Sequence, residues 1–86
     1  MLCRCYVSKG SRGRRMRLVG NRLDNIIGKH HEIDGEILRA IWGYGSDDNG
    51  LLIWIDKQQN PKYKAGVWFN SKNTITKCYS PFEKVV

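Results

Sequence analysis

Turn-forming residues interrupt this chain about every 10 to 12 residues, which leaves little room for a long helix and favours short strands. The segments between the turns are rich in β-branched and aromatic residues, which are typical of strands. Leu51–Ile55 is the clearest of them. Tyr63–Phe69 alternates in polarity, with Ala65 and Val67 on one predicted face and Trp68 on the other. The pattern predicts a small antiparallel β structure.

Glu36–Tyr44 fits either a helix or a strand by the spacing of its apolar residues. Glycines within and beside it limit a helix to about two turns, which is short for a stable helix. A hairpin across Asn49-Gly50 would pair this segment with Leu51–Ile55. We therefore predict a strand here and a turn over residues 46–50.

The remaining predicted strands lie on either side of this hairpin. Lys29–Ile33 precedes Asp34-Gly35, a dipeptide that favours a tight turn. Thr74–Tyr79 is expected to end at Ser80-Pro81, after which Phe82–Val86 closes the sheet.

The chain of 86 residues has room for one domain. We expect a mostly β fold over residues 24–86, an antiparallel SH3-like or OB-like barrel of about five or six strands. Two arrangements fit the basic segment 1–23: a two-stranded β-ribbon around a glycine- and serine-containing loop, or a disordered arm. A domain of this size buries only about two thirds of its unfolded surface, so a binding surface is easier to build than a deep catalytic pocket.

A resemblance to a known family is carried by Gly28-Lys29, by Ile33-Asp34-Gly35-Glu36-Ile37 and by Asn49-Gly50-Leu51-Leu52-Ile53-Trp54. Their order resembles the glycine-punctuated meander of SH3-like barrels, including the KOW and Tudor types, over residues 28–86. Members of this family bind nucleic acid, ribosomal components or peptides, and rarely carry chemistry. The resemblance therefore implies a binding module. The aromatic cage of the Tudor type has no residue-by-residue match here, so no site is transferred.

The net charge of +7 falls entirely within residues 1–23. That segment has no aspartate or glutamate, whereas residues 24–86 carry eight basic and eight acidic residues. A concentrated positive surface attracts polyanions, and guanidinium groups suit phosphate. A solvated leader that keeps the protein in solution is the alternative explanation. The predicted nucleic-acid-binding cations are Arg4, Lys9, Arg12, Arg14, Arg15, Arg17 and Arg22.

Two tryptophans are candidates for a platform on which nucleic-acid bases stack. If Leu51, Ile53 and Ile55 face the core, then Trp54 faces outward. Trp68 likewise lies opposite the apolar face of its strand, and Tyr44 could extend the platform. The alternative is that both tryptophans lie in the core, as most tryptophans do.

The cysteines and histidines do not predict a metal site or an active site. Cys3, Cys5 and Cys78 are an odd number, which argues against a closed set of disulfides and favours reduced thiols. Their spacing relative to His30 and His31 matches no usual zinc pattern, and adjacent histidines on a strand face opposite ways. Nothing in the order of these residues indicates a converging thiol and imidazole. We expect no metal, no cofactor and no catalysis.

The residues therefore favour a non-catalytic nucleic-acid-binding module, for DNA or RNA, in the cytoplasm. No apolar run approaches the roughly 20 residues of a membrane span, and the polar N-terminal segment does not resemble a signal peptide. A small phage- or mobile-element-type regulator that binds an acidic face of a host protein is the alternative, with an exposed tryptophan at the contact. A ribosome-associated component would share the same charge logic. Uncovered strand edges would also permit a homodimer.

Overall fold

The computed structural model describes residues 6–9, 14–33 and 35–85, and within them the protein is mostly β, as predicted. No helix in these ranges is long and apolar enough to cross a membrane. In chain order the elements are β1 (Tyr6–Lys9), β2 (Arg14–Arg17), a 3-10 helix (Leu23–Asn25), β3 (His30–Ile33), β4 (Glu36–Gly45), β5 (Asn49–Ile55), β6 (Pro61–Phe69) and β7 (Ile75–Lys84).

The last five strands form one antiparallel meander in the order β3-β4-β5-β6-β7, which curls into a half-barrel. β1 and β2 pair with each other as a separate ribbon. β1 lies beside both edge strands of the meander, β3 and β7. Of the two arrangements expected for the N-terminal segment, its described residues adopt the ribbon.

Residues 20–29 connect the two edges of the meander. The Gly20 N–H donates to the carbonyl oxygen of Ile75 at the start of β7, over 2.8 Å. The Gly28 N–H donates to the carbonyl oxygen of Ala40 on β4, over 2.7 Å. This segment therefore extends the pairing beyond β7 and returns the chain to β3.

The core lies inside the curl and takes alternate residues from each strand. Directly paired residues share a face, so Ala40, Trp54 and Tyr63 form one inward row across β4, β5 and β6. Leu18 and Leu23 also belong to this core, which therefore begins upstream of the predicted domain boundary at residue 23. The largest fully buried side chains are Trp54, Leu18, Ile26, Ile33, Leu38, Leu52, Ile75 and Val67.

Gly45 and Gly50 are paired across β4 and β5 beside the indole ring of Trp42. A Cβ atom at Gly50 would lie 2.0 Å from Cζ2 of Trp42 and 2.8 Å from the carbonyl oxygen of Tyr44. Trp42 also meets Phe69 edge to face, with ring centroids 5.8 Å apart. The missing side chains at the two glycines give the indole the space in which it packs.

The predicted turn over residues 46–50 is shorter in the structure. Asn49 and Gly50 already belong to β5, where they pair with Trp68 and Val67 of β6. The Ser46 N–H donates to the Asn49 carbonyl oxygen over 2.7 Å, which closes the turn. Asn-Gly therefore follows the turn here instead of forming it.

β7 runs from Ile75 to Lys84, so the prediction that Ser80-Pro81 ends this strand is wrong. The pairing with β6 shifts here, because Lys64 is paired with Glu83 whereas Gly66 is paired with Ser80. Pro81 falls inside that irregular stretch. A proline has no N–H to donate, and a bulge is a position at which a strand tolerates this loss.

Cys78 is a buried residue of β7 and is disulfide-bonded. The expectation of reduced thiols is therefore wrong for this cysteine. Cys3 and Cys5 lie outside the described residues. An odd number of cysteines excludes complete pairing but still allows a single disulfide. The prediction of reduced thiols overlooked that possibility.

Gly50→Ala is expected to destabilise the protein by about 1–3 kcal/mol, because the added methyl group overlaps the Trp42 ring and crowds the Tyr44 carbonyl oxygen. Urea unfolding followed by circular dichroism measures the effect. The same substitution should cost less in a Trp42→Leu background, since the overlapping ring is then gone. An equal cost in both backgrounds would contradict this account of the glycine.

The Cys78 thiol is expected to resist alkylation in the protein denatured without reductant, and to react fully after reduction. Mass spectrometry of the peptide that carries Cys78 measures both states. Complete labelling before reduction, in protein purified without reductant, would contradict the disulfide.

Candidate nucleic-acid interface

The ribbon of β1 and β2 holds four of the seven predicted cations. Its antiparallel register places Lys9 opposite Arg14, Ser8 opposite Arg15 and Tyr6 opposite Arg17. The pairing therefore concentrates basic residues on one short element. Two further predicted cations, Arg4 and Arg12, lie outside the described residues.

Arg17 and Arg22 are the two predicted cations whose side chains the structure describes. Arg17 is exposed and has no ion pair with any described carboxylate. Arg22 Nη2 lies 3.4 Å from Oδ2 of Asp24, with both side chains more than half exposed to solvent. An exposed pair of this kind is weakly held, so Arg22 remains able to exchange Asp24 for a phosphate.

Trp54 is fully buried, so the prediction that it belongs to a stacking platform is wrong. Its partners in the register are Ala40 on β4 and Tyr63 on β6, and both are buried as well. Its ring packs edge to face against Phe82, with centroids 5.2 Å apart. The face of β5 that carries Leu52 and Trp54 is the inward one, opposite to the predicted arrangement.

Trp68 lies on the outer face of β6, as the alternation of Tyr63–Phe69 predicted. The side chain is 37% exposed. Its ring meets that of Tyr79 edge to face, with centroids 5.8 Å apart and an interplanar angle of 73°. The two rings form an aromatic pair on neighbouring strands, open to solvent on the outer face of the sheet.

Tyr79 is a member of this outer surface that the sequence reasoning missed. It is 44% exposed, and its hydroxyl donates to the Gly50 carbonyl oxygen on β5 over 3.2 Å. To reach β5 the side chain crosses β6, which lies between β5 and β7 in the sheet. Burial raises the pKa of the Tyr79 phenol above its usual value, and nearby Tyr44 adds to the shift. The phenol therefore stays protonated and keeps its hydrogen bond at neutral pH.

Tyr44 extends the aromatic surface toward β4 and is 67% exposed. We define the outer aromatic cluster as Tyr44, Trp68 and Tyr79. No signal in the sequence identified Tyr79, because its position arises from the irregular pairing of β6 with β7 between Cys78 and Ser80. Tyr44 was predicted only as an extension of the platform.

Charge is not balanced within residues 24–86, although the whole segment is neutral. Residues 61–86, which contain β6 and β7, carry five lysines and one glutamate, a net charge of +4. Residues 24–60 carry three basic and seven acidic residues, a net charge of −4. The division can be read from the sequence, but the net charge of residues 24–86 taken together is zero and conceals it. The outer aromatic cluster has two of its three members on the basic side.

A recess lies on the outer face of the sheet near β3, the edge strand farthest from β7. It is a cavity of about 270 Å³ lined by His30, Ile37, Arg39, Ile55, Asp56, Lys57 and Gln59. The Asp56 carboxylate accepts the N–H groups of Gln58 and Asn60 over 2.9 and 2.8 Å. These bonds lower the pKa of Asp56, which thus stays ionised within its own turn. The cavity combines acidic and basic groups and has no single charge preference.

The metal and catalytic candidates are not brought together among the described residues. His30 is exposed and His31 is buried on β3, so the two face opposite ways as predicted. No group of three or more His, Cys, Asp or Glu side chains in this part of the chain could hold a metal ion. The disulfide at Cys78 removes its thiol as a nucleophile.

Comparison with models of protein families, with curated proteins and with solved structures finds no match to this chain. The resemblance to SH3-like barrels therefore remains an expectation from the sequence.

Trp68 and Trp54 are expected to differ in their accessibility to acrylamide, because one ring lies outside the sheet and the other inside it. Collisional quenching of the wild type, Trp68→Phe and Trp54→Phe measures the difference. Trp68→Phe should remove the strongly quenched component and Trp54→Phe the protected one. The reverse assignment would show that the faces of β5 and β6 are inverted.

Proposed function

We propose that this protein is a non-catalytic nucleic-acid-binding module that holds phosphate through the cations of residues 1–23. The observation that carries the proposal is the concentration of seven basic and no acidic residues in that segment. The ribbon supports it, since its register gathers Lys9, Arg14, Arg15 and Arg17 on two paired strands. Arg17 supports it further, because this residue is exposed and forms no ion pair with a carboxylate in the described part of the chain.

Binding of this kind is electrostatic and depends strongly on salt. Each phosphate that a cation neutralises releases condensed counterions, which contributes about 0.9 to the slope of log K against log salt on duplex DNA. Guanidinium groups donate two parallel hydrogen bonds to phosphate, which suits the predominance of arginine in residues 1–23. Neither effect requires a pocket, in keeping with a small curled sheet. We propose the cytoplasm as the location. Disulfides are rare in that compartment, so the redox state of Cys78 in the cell is a test of this location.

Arg14→Gln, Arg15→Gln and Arg17→Gln together are expected to weaken binding to a duplex oligonucleotide by about tenfold or more near 50 mM salt. The slope of log K against log salt should fall by about 2 to 3, because up to three phosphate contacts are lost. Fluorescence anisotropy at about 50 and 200 mM salt measures both quantities.

The matched control removes three cations from the acidic part of the chain, Lys29→Gln, Arg39→Gln and Lys57→Gln. Both triple variants have the same net charge, so a difference between them separates local from overall charge. Equal affinity of the ribbon variant and the wild type would overturn the proposed function. Equal losses in both variants would show that net charge alone, rather than the ribbon, determines binding.

A further inference from the structure

We infer that the outer face of β6 and β7 binds single-stranded nucleic acid, with bases stacked on Trp68 and Tyr79. The inference builds on the proposed function and adds the form of nucleic acid and the second surface that selects it. It depends on three observations: exposed rings, lysines on the same strands, and the position of β7 next to the ribbon.

The rings are displayed in a way that suits stacking. Trp68 and Tyr79 are 37% and 44% exposed on the outer face of a sheet, and Tyr44 continues the surface at 67%. The Tyr79 ring is fixed at its far end by the hydrogen bond from its hydroxyl to the Gly50 carbonyl oxygen. A ring held in place loses little conformational entropy when a base stacks on it. Every base has a flat face, so such a surface accepts bases of any sequence.

Lysines lie beside the rings on β6 and β7. Lys77 is the register partner of Trp68, and directly paired residues share a face of the sheet. Lys64 lies on the same face of β6; its ammonium is 3.8 Å from Oε1 of Glu83, and its side chain is 44% exposed. Neither Lys77 nor Lys72, which lies in the turn between β6 and β7, forms an ion pair with any described carboxylate. These ammonium groups are available to phosphates that flank a stacked base.

The form of nucleic acid follows from the geometry of stacking. In a duplex the base faces are already covered by neighbouring bases, whereas a single strand offers them to aromatic side chains. Asp47 and Asp48 lie in the turn between Tyr44 and Asn49, on the β5 side of Trp68, and repel a nucleic-acid backbone on that side. The bound strand therefore runs over β6 and β7, toward Lys64 and Lys77, rather than over the turn.

The ribbon lies close enough to share the same ligand. β1 is adjacent to β7, the strand that carries Tyr79 and Lys77. A single strand that crosses β6 and β7 can therefore continue onto the cations of the ribbon. The ribbon supplies phosphate contacts to either form of nucleic acid, and the outer aromatic cluster favours the unpaired form.

The test compares single-stranded oligonucleotides of about 4 to 16 residues with a duplex, by anisotropy and by tryptophan quenching. Trp68→Leu and Tyr79→Leu should each weaken single-strand binding by about tenfold and leave duplex binding within about twofold. Tyr79→Phe keeps the ring and should bind almost as well as the wild type. Ile37→Ser removes an exposed apolar side chain from the acidic part of the sheet and serves as the matched control.

Irradiation of the wild-type protein with a single-stranded oligonucleotide provides a second measurement that needs no variant. Crosslinks are expected in the β6 and β7 peptides that contain Trp68 and Tyr79. Crosslinks confined to the ribbon, or equal effects of Trp68→Leu on both forms of nucleic acid, would overturn the inference.

The outcomes separate this inference from the proposed function. Loss of all binding in the ribbon variant, with no effect of Trp68→Leu, would support the proposed function and overturn the single-strand site. No binding of either form by the wild type would overturn both. Recovery of one stoichiometric protein from nuclease-treated lysate, lost on Trp68→Leu, would identify the aromatic face as a protein contact and overturn the inference.

Discussion

The direction in which side chains alternate on β5 is the constraint on which the rest of the structure depends. β5 is the central strand of the meander, with Leu52 and Trp54 inward and Leu51 and Ile53 outward. A shift of one residue would exchange the two faces of every paired strand. Burial of the large Trp54 ring strongly disfavours that exchange, because the indole would move from the core into water. The outward position of Trp68 on β6 follows from this register.

Two cationic surfaces with different physical properties result from this arrangement. The ribbon acts through charge at a distance, so its attraction weakens as salt is added. The outer face of β6 and β7 adds aromatic rings, whose contacts act only at short range and are less sensitive to salt. The acidic residues of segment 24–60 come before β6 in the chain, with Glu32 on β3, Glu36 on β4, and Asp47, Asp48 and Asp56 in the turns on either side of β5. A polyanion is therefore oriented on the molecule rather than attracted uniformly.

Trp54 and Trp68 show how one residue type takes opposite roles in the same sheet. Each is a large aromatic residue on a strand whose side chains alternate between the inner and outer faces, and the two strands are adjacent. Trp54 pairs with inward residues and fills the core, whereas Trp68 pairs with Asn49 and Lys77 and reaches solvent. Gly50 also affects where the other aromatic rings lie. Gly50 accommodates Trp42 beside it, and its carbonyl oxygen holds the hydroxyl of Tyr79.

The sequence by itself determined the mostly β class, the strand at Leu51–Ile55 and the two faces of Tyr63–Phe69, because turn residues and alternation are local properties. It did not determine which face of Leu51–Ile55 is buried, since both faces are apolar. Only the tertiary structure decided that question, through the pairing of Trp54 with Ala40 and Tyr63. The place of Tyr79 beside Trp68 and the disulfide at Cys78 were decided in the same way. Each depends on contacts between residues that are distant in the chain, and no local pattern encodes such contacts.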